Sequence, residues 1–486
     1  MKISPRLLAY AAVLVCVAQP ASAQSILRDA ETEALLQDMV DPLVEAAGMP
    51  AGSVDVVLVQ DSSINAFVSQ GQRIYVHSGL INAADNANEV QGVLAHELGH
   101  ITGGHSISVY DAYGKASTIS LLSTLLGVAA TLAGASEAGL AGMALGQQVA
   151  MSTFLGFSRT QEASADAAAV KFLKCSGTSG RGVVSFFRKL QNEEMRHGYS
   201  QSEEAGFART HPLSGDRISR LEADLQDDPA WGRPEADLIT TVEVPSPTII
   251  VTPPPPSLGC AATPVEARVP ADEIERRFQL AKAKLYGYLA APTDTLRAYP
   301  TFLTAPPARY ARAYAYHKDA RVDQALAESD ALVGSEPGNP YFLELRGQIL
   351  LESGRPREAL ESLRRATEMT GNDPLIASTF GHALLATEDP ANLEEAERVL
   401  RAAVGRDREN PFAWYQLGIV YQQSGDEPRA RLASAEQQVM SGRPREALVN
   451  AEAAEQSLPY GSPDWLRAGD VALQARADLE RENDRN

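Results

Sequence analysis

The sequence predicts an α+β domain followed by an all-α superhelix of paired helices. Before a proline-rich stretch, short segments of alternating apolar and polar residues are mixed with longer helical patterns. After that stretch the pattern is helical almost throughout, and one octapeptide occurs twice. A chain of 486 residues is long for one hydrophobic core, so the change of pattern marks a boundary between domains.

The first residues have the composition of a signal peptide. Lys2 and Arg6 precede an apolar run, and Ala21-Ser22-Ala23 forms a small-residue cleavage site. We therefore expect residues 1–23 to be removed on export. Loss of Lys2 and Arg6 changes the formal charge from -19 to -21, and the mature chain has no Lys/Arg cluster that would follow phosphates. We expect no nucleic-acid partner.

Residues 24–235 make up the predicted α+β domain. Alternation from Ser53 to Gln60 and from Gln72 to His77 predicts strands. Further on, a helix is predicted to begin at Asn86, with Glu89 three residues later as its capping-box partner.

This helix carries the pattern His96-Glu97-Leu98-Gly99-His100. His96 and His100 are one turn apart, so their imidazoles can converge on one metal ion. Zinc held by three protein groups keeps a position for water, whose pKa it lowers from about 15.7 to about 7. Glu97 can then accept a proton from that water as it attacks a peptide carbonyl. The sequence predicts a peptidase with one zinc ion per chain.

The third protein ligand is predicted to be Glu162. It lies in a second helical stretch, and Asp166 follows one turn later. A carboxylate there can accept the other N–H of a ligating histidine and so fix its tautomer.

Between these two helices, residues 116–135 contain no charged residue and are long enough to cross a membrane. Many of them are Ser, Thr, Ala or Gly, which makes the segment only marginally hydrophobic. Two alternatives remain open: a helix packed in or over the catalytic domain, or a segment in peripheral contact with a membrane or inserted in it.

Residues 236–262 are predicted to be a linker, since Val244 to Pro256 holds six prolines. In residues 263–486 the octapeptide Ser353 to Leu360 recurs as Ser441 to Leu448, and Tyr341 to Pro374 has the 34-residue length of a tetratricopeptide repeat. We predict about four such repeats at about 308–458, one sharing a helix with its neighbour. An ordinary helical bundle is the alternative, but the sequence of a bundle has no reason to repeat every 34 residues.

Two cysteines, Cys175 and Cys260, remain after removal of the signal peptide. An even count in an oxidising compartment permits one disulfide, and the sequence leaves open whether they form it.

Several motifs resemble the HtpX-like family of zinc metallopeptidases. They are His96 to His105 (HELGHITGGH), the pattern Glu-x-x-Ala-Asp from Glu162 to Asp166, and Arg209-Thr210-His211-Pro212 followed by Arg217-Ile218. With the signal peptide and the repeats, the mature chain is similar to the family of periplasmic β-barrel assembly-enhancing proteases. Ser164 departs from this family, which commonly has Glu at that position.

The resemblance implies a zincin-like, gluzincin catalytic domain with His96, His100 and Glu162 as zinc ligands. It implies that Glu97 is the catalytic acid/base and that Asp166 is a supporting acid or proton donor. It adds His211 as a fourth ligand that can hold the site latent until it moves.

The same resemblance implies a periplasmic metalloendopeptidase in quality control and assembly of outer-membrane β-barrel proteins. Its partners would be unfolded or stalled barrel proteins and their assembly machinery, held by the repeat domain. The alternative is an assembly factor or chaperone whose peptidase site is latent.

Overall fold

The computed structural model of the chain describes residues 25–69, 71–105, 117, 119–125, 136–197, 211–232, 260 and 269–485. The predicted signal peptide lies outside them, as does the predicted linker except for Cys260. The first domain contains, in chain order, β1 (Ser25–Ile26), α1 (Ala30–Ala46), β2 (Asp55–Gln60), β3 (Ala66–Val68), β4 (Arg73–His77), α2 (Ser78–Ala83), α3 (Ala87–Thr102), α4 (Ser136–Ser176), α5 (Arg181–His197) and α6 (Gly215–Leu225). The predicted α+β class is confirmed.

The four strands form one sheet in the order β1-β2-β4-β3. Strands β2 and β4 are parallel, with Val57 opposite Tyr75, whereas β1 and β3 run antiparallel to their neighbours. Side chains alternate between the two faces, so Leu58, Ile74 and Val76 are buried in the core. In this order β3 is an edge strand, paired on one side with β4.

Helix α3 begins where the sequence predicts. The side chain of Asn86 accepts a hydrogen bond from the backbone N–H of Glu89 at 3.0 Å, while the Glu89 carboxylate accepts one from Asp85 at 2.8 Å. Gly99 allows α3 to cross α4 closely, because a Cβ there would lie 2.6 Å from the backbone oxygen of Ala165. This crossing brings the HExxH helix against the turn of α4 that contains Glu162.

Beyond the proline-rich stretch come α7 (Ala271–Leu289), α8 (Pro292–Ala298), α9 (Pro306–Lys318), α10 (Val322–Ser335), α11 (Pro340–Glu352), α12 (Pro356–Met369), α13 (Pro374–Ala386), α14 (Leu393–Arg406), α15 (Pro411–Ser424), α16 (Glu427–Met440), α17 (Pro444–Ser457) and α18 (Pro463–Arg485). From α9 onward, consecutive helices pack pairwise. The predicted all-α class of this domain is confirmed.

The two copies of the octapeptide occupy equivalent turns. In each, glycine has a positive φ (+77° at Gly354 and +67° at Gly442), and proline then opens the next helix, α12 or α17. Glycine adopts the left-handed conformation without strain and proline is favoured at the first position of a helix, so the same letters suit both turns. Helix α16 packs against both α15 and α17, as the other helices from α9 onward do with their neighbours.

Helix α7 packs into the core of the first domain. Its residues Ile274, Phe278 and Leu285 are buried in the same apolar cluster as Leu98 of α3. A buried polar network extends this contact. The ammonium of Lys284 lies 2.5 Å from Asp29 Oδ1 and 3.3 Å from Glu31 Oε2. The hydroxyl of Tyr310 donates to Glu31 at 2.7 Å, so α1, α7 and α9 meet in one network.

Part of the uncharged segment at 116–135 is described, namely residues 117 and 119–125. Leu121, Leu122 and Leu125 are 62%, 56% and 59% exposed. This segment lies against α4, since a Cβ at Gly146 would lie 2.0 Å from Cβ of Ser123. None of the helices among the described residues is both long enough and apolar enough to span a bilayer.

A disulfide joins Cys175, at the end of α4, to Cys260. Cys260 packs against the apolar core of the first domain, close in sequence to the start of α7. The loop between the cysteines includes α5, α6 and His211.

Candidate metal centre

Four side chains from three parts of the first domain converge on one point. Helix α3 supplies His96 and His100, α4 supplies Glu162, and the segment before α6 supplies His211. All four are buried, and one ligand atom from each lies within 4.8 Å of the others. The Nε2 atoms of His96 and His100 are 3.1 Å apart, and Nε2 of His96 lies 3.3 Å from Glu162 Oε2. Two or three imidazoles and a carboxylate at these distances can hold a metal ion.

Glu97 lies beside these ligands and is completely buried. Neither carboxylate oxygen has a hydrogen-bond partner among the described residues. Nε2 of His211 lies 3.5 Å from Glu97 Oε1. Burial raises the pKa of Glu97, and the charges of His211 and His96 offset part of this effect. An acid kept buried without a partner costs stability, which is typical of a group that acts on something bound in the site.

Asp166 positions His96 and is itself held by an arginine. Its Oδ1 lies 3.0 Å from Nδ1 of His96, which leaves Nε2 of that ring for a metal. Arg217 donates to both oxygens of Asp166, from Nε at 2.7 Å and from Nη2 at 2.8 Å. Its Nη1 lies 3.0 Å from Glu162 Oε2. The guanidinium of Arg217 therefore connects Glu162 with Asp166 and orients both carboxylates.

The charges in the site follow from these contacts. Burial would lower the pKa of His96, but the bonds to Asp166 and Glu162 outweigh it and raise the pKa to about 9. Burial, followed by the charges of His96 and His211, lowers the pKa of His100 to about 2. For Glu162 burial opposes ionisation, yet contacts with His211 and His96 hold its pKa below the usual range. His100 is thus neutral and Glu162 ionised, the forms in which both bind metals.

His211 contacts several members of the group. Its Nδ1 lies 3.1 Å from Glu162 Oε1 and 3.4 Å from Nε2 of His96. It therefore occupies the side of the group that faces Glu97 and Glu162.

His105 and Arg217 contribute contacts that sequence reasoning did not assign. Nδ1 of His105 lies 2.8 Å from Nδ1 of His100, and its Nε2 lies 2.9 Å from Oγ of Ser164. Ser164, which departs from the family pattern, thus contacts His105, and His105 in turn contacts the candidate ligand His100. A signal was present in the sequence for both residues, since His105 and Arg217 lie within the quoted motifs.

We expect Asp166→Asn to weaken metal binding about 10- to 100-fold, because an amide cannot fix the His96 tautomer as a carboxylate does. Competition of the purified protein with a chelating dye for zinc measures this effect. Asp216→Asn, at an exposed acid on α6, is the matched control and should bind zinc like the wild type. Equal zinc affinity of both variants would show that Asp166 does not support the ligand.

Comparisons with known proteins agree with this geometry. Residues 30–225 match the model of peptidase family M48, and residues 341–373 match that of a tetratricopeptide repeat. The β-barrel assembly-enhancing protease of Yersinia pestis is 23% identical over 431 residues, which cover 88% of this chain and 79% of that protein. The protein of the same name from Escherichia coli (strain K12) is 24% identical over 435 residues, covering 87% and 79%.

A shorter relative matches the first domain alone. Metalloprotease YcaL of Escherichia coli (strain K12) is 30% identical over 169 residues, which cover 35% of this chain and 61% of that protein. The matches agree with the helix pairs that follow the first domain. Residues 30–225 therefore form a metalloprotease domain of the M48 type, and a region with tetratricopeptide repeats follows it.

Proposed function

We propose that the chain is an exported, periplasmic zinc metalloendopeptidase that acts in quality control and assembly of outer-membrane β-barrel proteins. The observation that carries the proposal is the buried carboxylate of Glu97, which has no hydrogen-bond partner among the described residues and lies beside His96, His100 and Glu162. The two relatives that match most of the chain are named β-barrel assembly-enhancing proteases, which supports the cellular role.

The ligand distances support zinc. A tetrahedral zinc ion with bonds of about 2.0 to 2.1 Å separates its ligand atoms by about 3.3 to 3.4 Å. The Nε2 atoms of the two histidines are 3.1 Å apart, Nε2 of His96 lies 3.3 Å from Glu162 Oε2, and Nε2 of His100 lies 3.5 Å from the other oxygen, Oε1. Nitrogen ligands with one carboxylate suit zinc better than the oxygen-preferring magnesium or calcium ions.

The chemistry is divided between the metal and Glu97. When bound, zinc supplies a Lewis acid that polarises a carbonyl and makes water a stronger nucleophile at neutral pH. Glu97 accepts a proton from the attacking water and returns it to the leaving amine. Burial raises the pKa of Glu97, which favours this exchange near neutral pH. Asp166 and Arg217 keep the ligands oriented throughout.

The edge strand β3 supports cleavage within extended segments. It pairs with β4 on one side and packs against α3. An extended polypeptide can add to such an edge by backbone hydrogen bonds, which requires little sequence specificity. Phe67 on β3 stacks on Tyr75 with ring centroids 5.1 Å apart, which holds the edge in place. This arrangement supports the proposal of endopeptidase activity on unfolded chains.

The repeats and the uncharged segment support roles in recruitment. Stacked helix pairs form extended surfaces that bind polypeptides, so we assign partner binding to the repeat domain. The exposed leucines Leu121, Leu122 and Leu125 are suited to peripheral contact with a membrane. Retention of the mature protein on vesicles after a salt wash, and its release by carbonate, would identify peripheral contact; failure to co-sediment with vesicles would reject it.

The alternative function is that of an assembly factor with a latent peptidase site. The contact of His211 with Glu162 favours it, because a fourth protein ligand occupies the position that water needs. Complementation separates the two functions. If Glu97→Gln fully restores envelope integrity in cells that lack the protein, cleavage is secondary. Failure to restore it assigns the cellular role to the peptidase.

We expect His211→Ala to raise cleavage of an unfolded protein severalfold, because removal of the imidazole opens a position beside Glu97. The initial rate of cleavage and the zinc content of the same sample are measured together. Arg220→Ala, at an exposed residue of the neighbouring helix α6, is the control and should cleave like the wild type. Unchanged or lower cleavage at full zinc content would reject gating by His211.

A further inference from the structure

His105 lies beside the metal centre and is not one of the four converging ligands. Helix α3 ends at Thr102, and Gly104, with a φ of +62°, turns the chain that follows. Gly103 leaves room for the ring of His105, because a Cβ there would lie 2.3 Å from Nε2 of that ring. His105 is 7% exposed, and its ring meets the ring of His100 with centroids 4.9 Å apart. The turn after the HExxH helix therefore brings a buried histidine back to one of the ligands.

The hydrogen bond between His100 and His105 has a direction that metal binding fixes. Their Nδ1 atoms are 2.8 Å apart, so one of these nitrogens carries the hydrogen and the other accepts it. Nε2 of His100 faces the other ligands, 3.1 Å from Nε2 of His96 and 3.5 Å from Glu162 Oε1. A histidine that binds a metal through Nε2 is neutral and carries its hydrogen on Nδ1. His100 therefore donates from Nδ1, and Nδ1 of His105 accepts.

The other ring nitrogen of His105 agrees with this direction. When Nδ1 accepts, the single ring hydrogen of His105 lies on Nε2, which is 2.9 Å from Oγ of Ser164. The hydroxyl of Ser164 donates to the backbone oxygen of Gln161 at 3.1 Å, so its oxygen can accept the N–H of His105. The three hydrogen bonds thus run in one direction, from His100 through His105 and Ser164 to the carbonyl of Gln161.

The two histidine ligands differ in the group that holds them. A metal-bound histidine needs an acceptor on its second ring nitrogen to keep its tautomer and its orientation. For His96 that acceptor is the carboxylate of Asp166, 3.0 Å from Nδ1, and Arg217 contacts this carboxylate through two nitrogens. For His100 the corresponding place is taken by the imidazole of His105.

We propose that His105 is the positioning residue of the ligand His100: its Nδ1 accepts the N–H of that ligand and so keeps Nε2 of His100 available for the ion. Ser164 holds His105 in the tautomer that this role requires. The inference rests on the proposed zinc site, and it adds a neutral imidazole to the carboxylate support that Asp166 gives. Loss of such a partner costs about 10- to 100-fold in metal affinity.

The test compares two variants of similar shape, His105→Asn and His105→Leu. Asparagine places its Oδ1 at the position of the histidine Nδ1 and can still accept from His100, whereas leucine has no acceptor. Competition of the full chain with a chelating dye gives the zinc affinity. We expect His105→Leu to bind zinc about tenfold or more weakly than the wild type, and His105→Asn to remain within about threefold of it. A role in packing alone would not separate these two variants.

Ser164→Ala tests the same arrangement at an exposed residue, where folding is not at risk. It keeps both histidines and removes the partner of His105, so zinc should bind about twofold or more weakly. His382→Leu, on α13 of the repeat domain, is the control for loss of a histidine and should bind zinc like the wild type.

Two results would overturn the proposal. They are equal zinc affinity of His105→Asn and His105→Leu, and an unchanged zinc affinity of Ser164→Ala. Failure of the wild type to bind zinc would instead overturn the proposed zinc site, on which this inference rests.

Discussion

Glu97→Gln is expected to reduce cleavage of an unfolded protein by about 10² to 10⁴-fold, the usual contribution of a general base. Glutamine has the shape of glutamate but cannot accept the proton. Both oxygens of Glu97 are buried and have no hydrogen-bond partner in the described part of the chain, so replacing the carboxylate by a neutral amide breaks no hydrogen bond there and the fold should tolerate it. The kcat and KM for a quenched fluorescent casein, with zinc per chain in the same samples, measure the effect.

The zinc content makes this result interpretable. Glu97 is not among the four converging ligands, so the variant should bind zinc like the wild type. Asp224→Asn, at an exposed acid of α6, should leave both cleavage and zinc content unchanged. A rate within tenfold of the wild type would mean that another group accepts the proton, and loss of zinc would mean that Glu97 supports the ligands instead.

Much of the metal centre can be predicted from spacing. His96 and His100 share a helix face because they are four residues apart, and the same holds for Glu162 and Asp166 on α4. Their meeting depends on the crossing of two helices at Gly99, a tertiary contact that no spacing encodes. His211 comes from a separate segment and is predicted only through resemblance. The bidentate contact of Arg217 with Asp166 depends equally on this tertiary arrangement.

The boundary between the domains is harder to predict from the sequence than the metal centre is. The prolines from Val244 to Pro256 indicate a linker, so the sequence places residues 263–486 in a separate repeat domain, with the repeats themselves at about 308–458. The amphipathic pattern of α7 predicts an apolar face but does not say what covers it. In the structure Phe278 enters the core of the peptidase domain, while Tyr310 of α9 donates a hydrogen bond to Glu31 of α1.

Loss of the disulfide is expected to lower the free energy of unfolding of the first domain by about 4 to 5 kcal/mol. Cys175 and Cys260 are 85 residues apart, and opening so long a loop restores chain entropy to the unfolded state. Urea unfolding of Cys175→Ala/Cys260→Ala measures this. Trp231 packs on the core of this domain, so replacement of Trp414 and Trp465 by Phe makes its fluorescence report on that domain.

A measurement with reductant distinguishes the stability that comes from the disulfide bond from the stability that comes from packing of the two cysteine side chains. Cys175 is 5% exposed, so alanine there also removes buried volume. The wild type with reductant keeps both thiols in place, and it should lose most of the same free energy, while reductant should not affect the double variant. Unfolding of the wild type that is identical with and without reductant would show that the bond does not constrain the loop between the two cysteines.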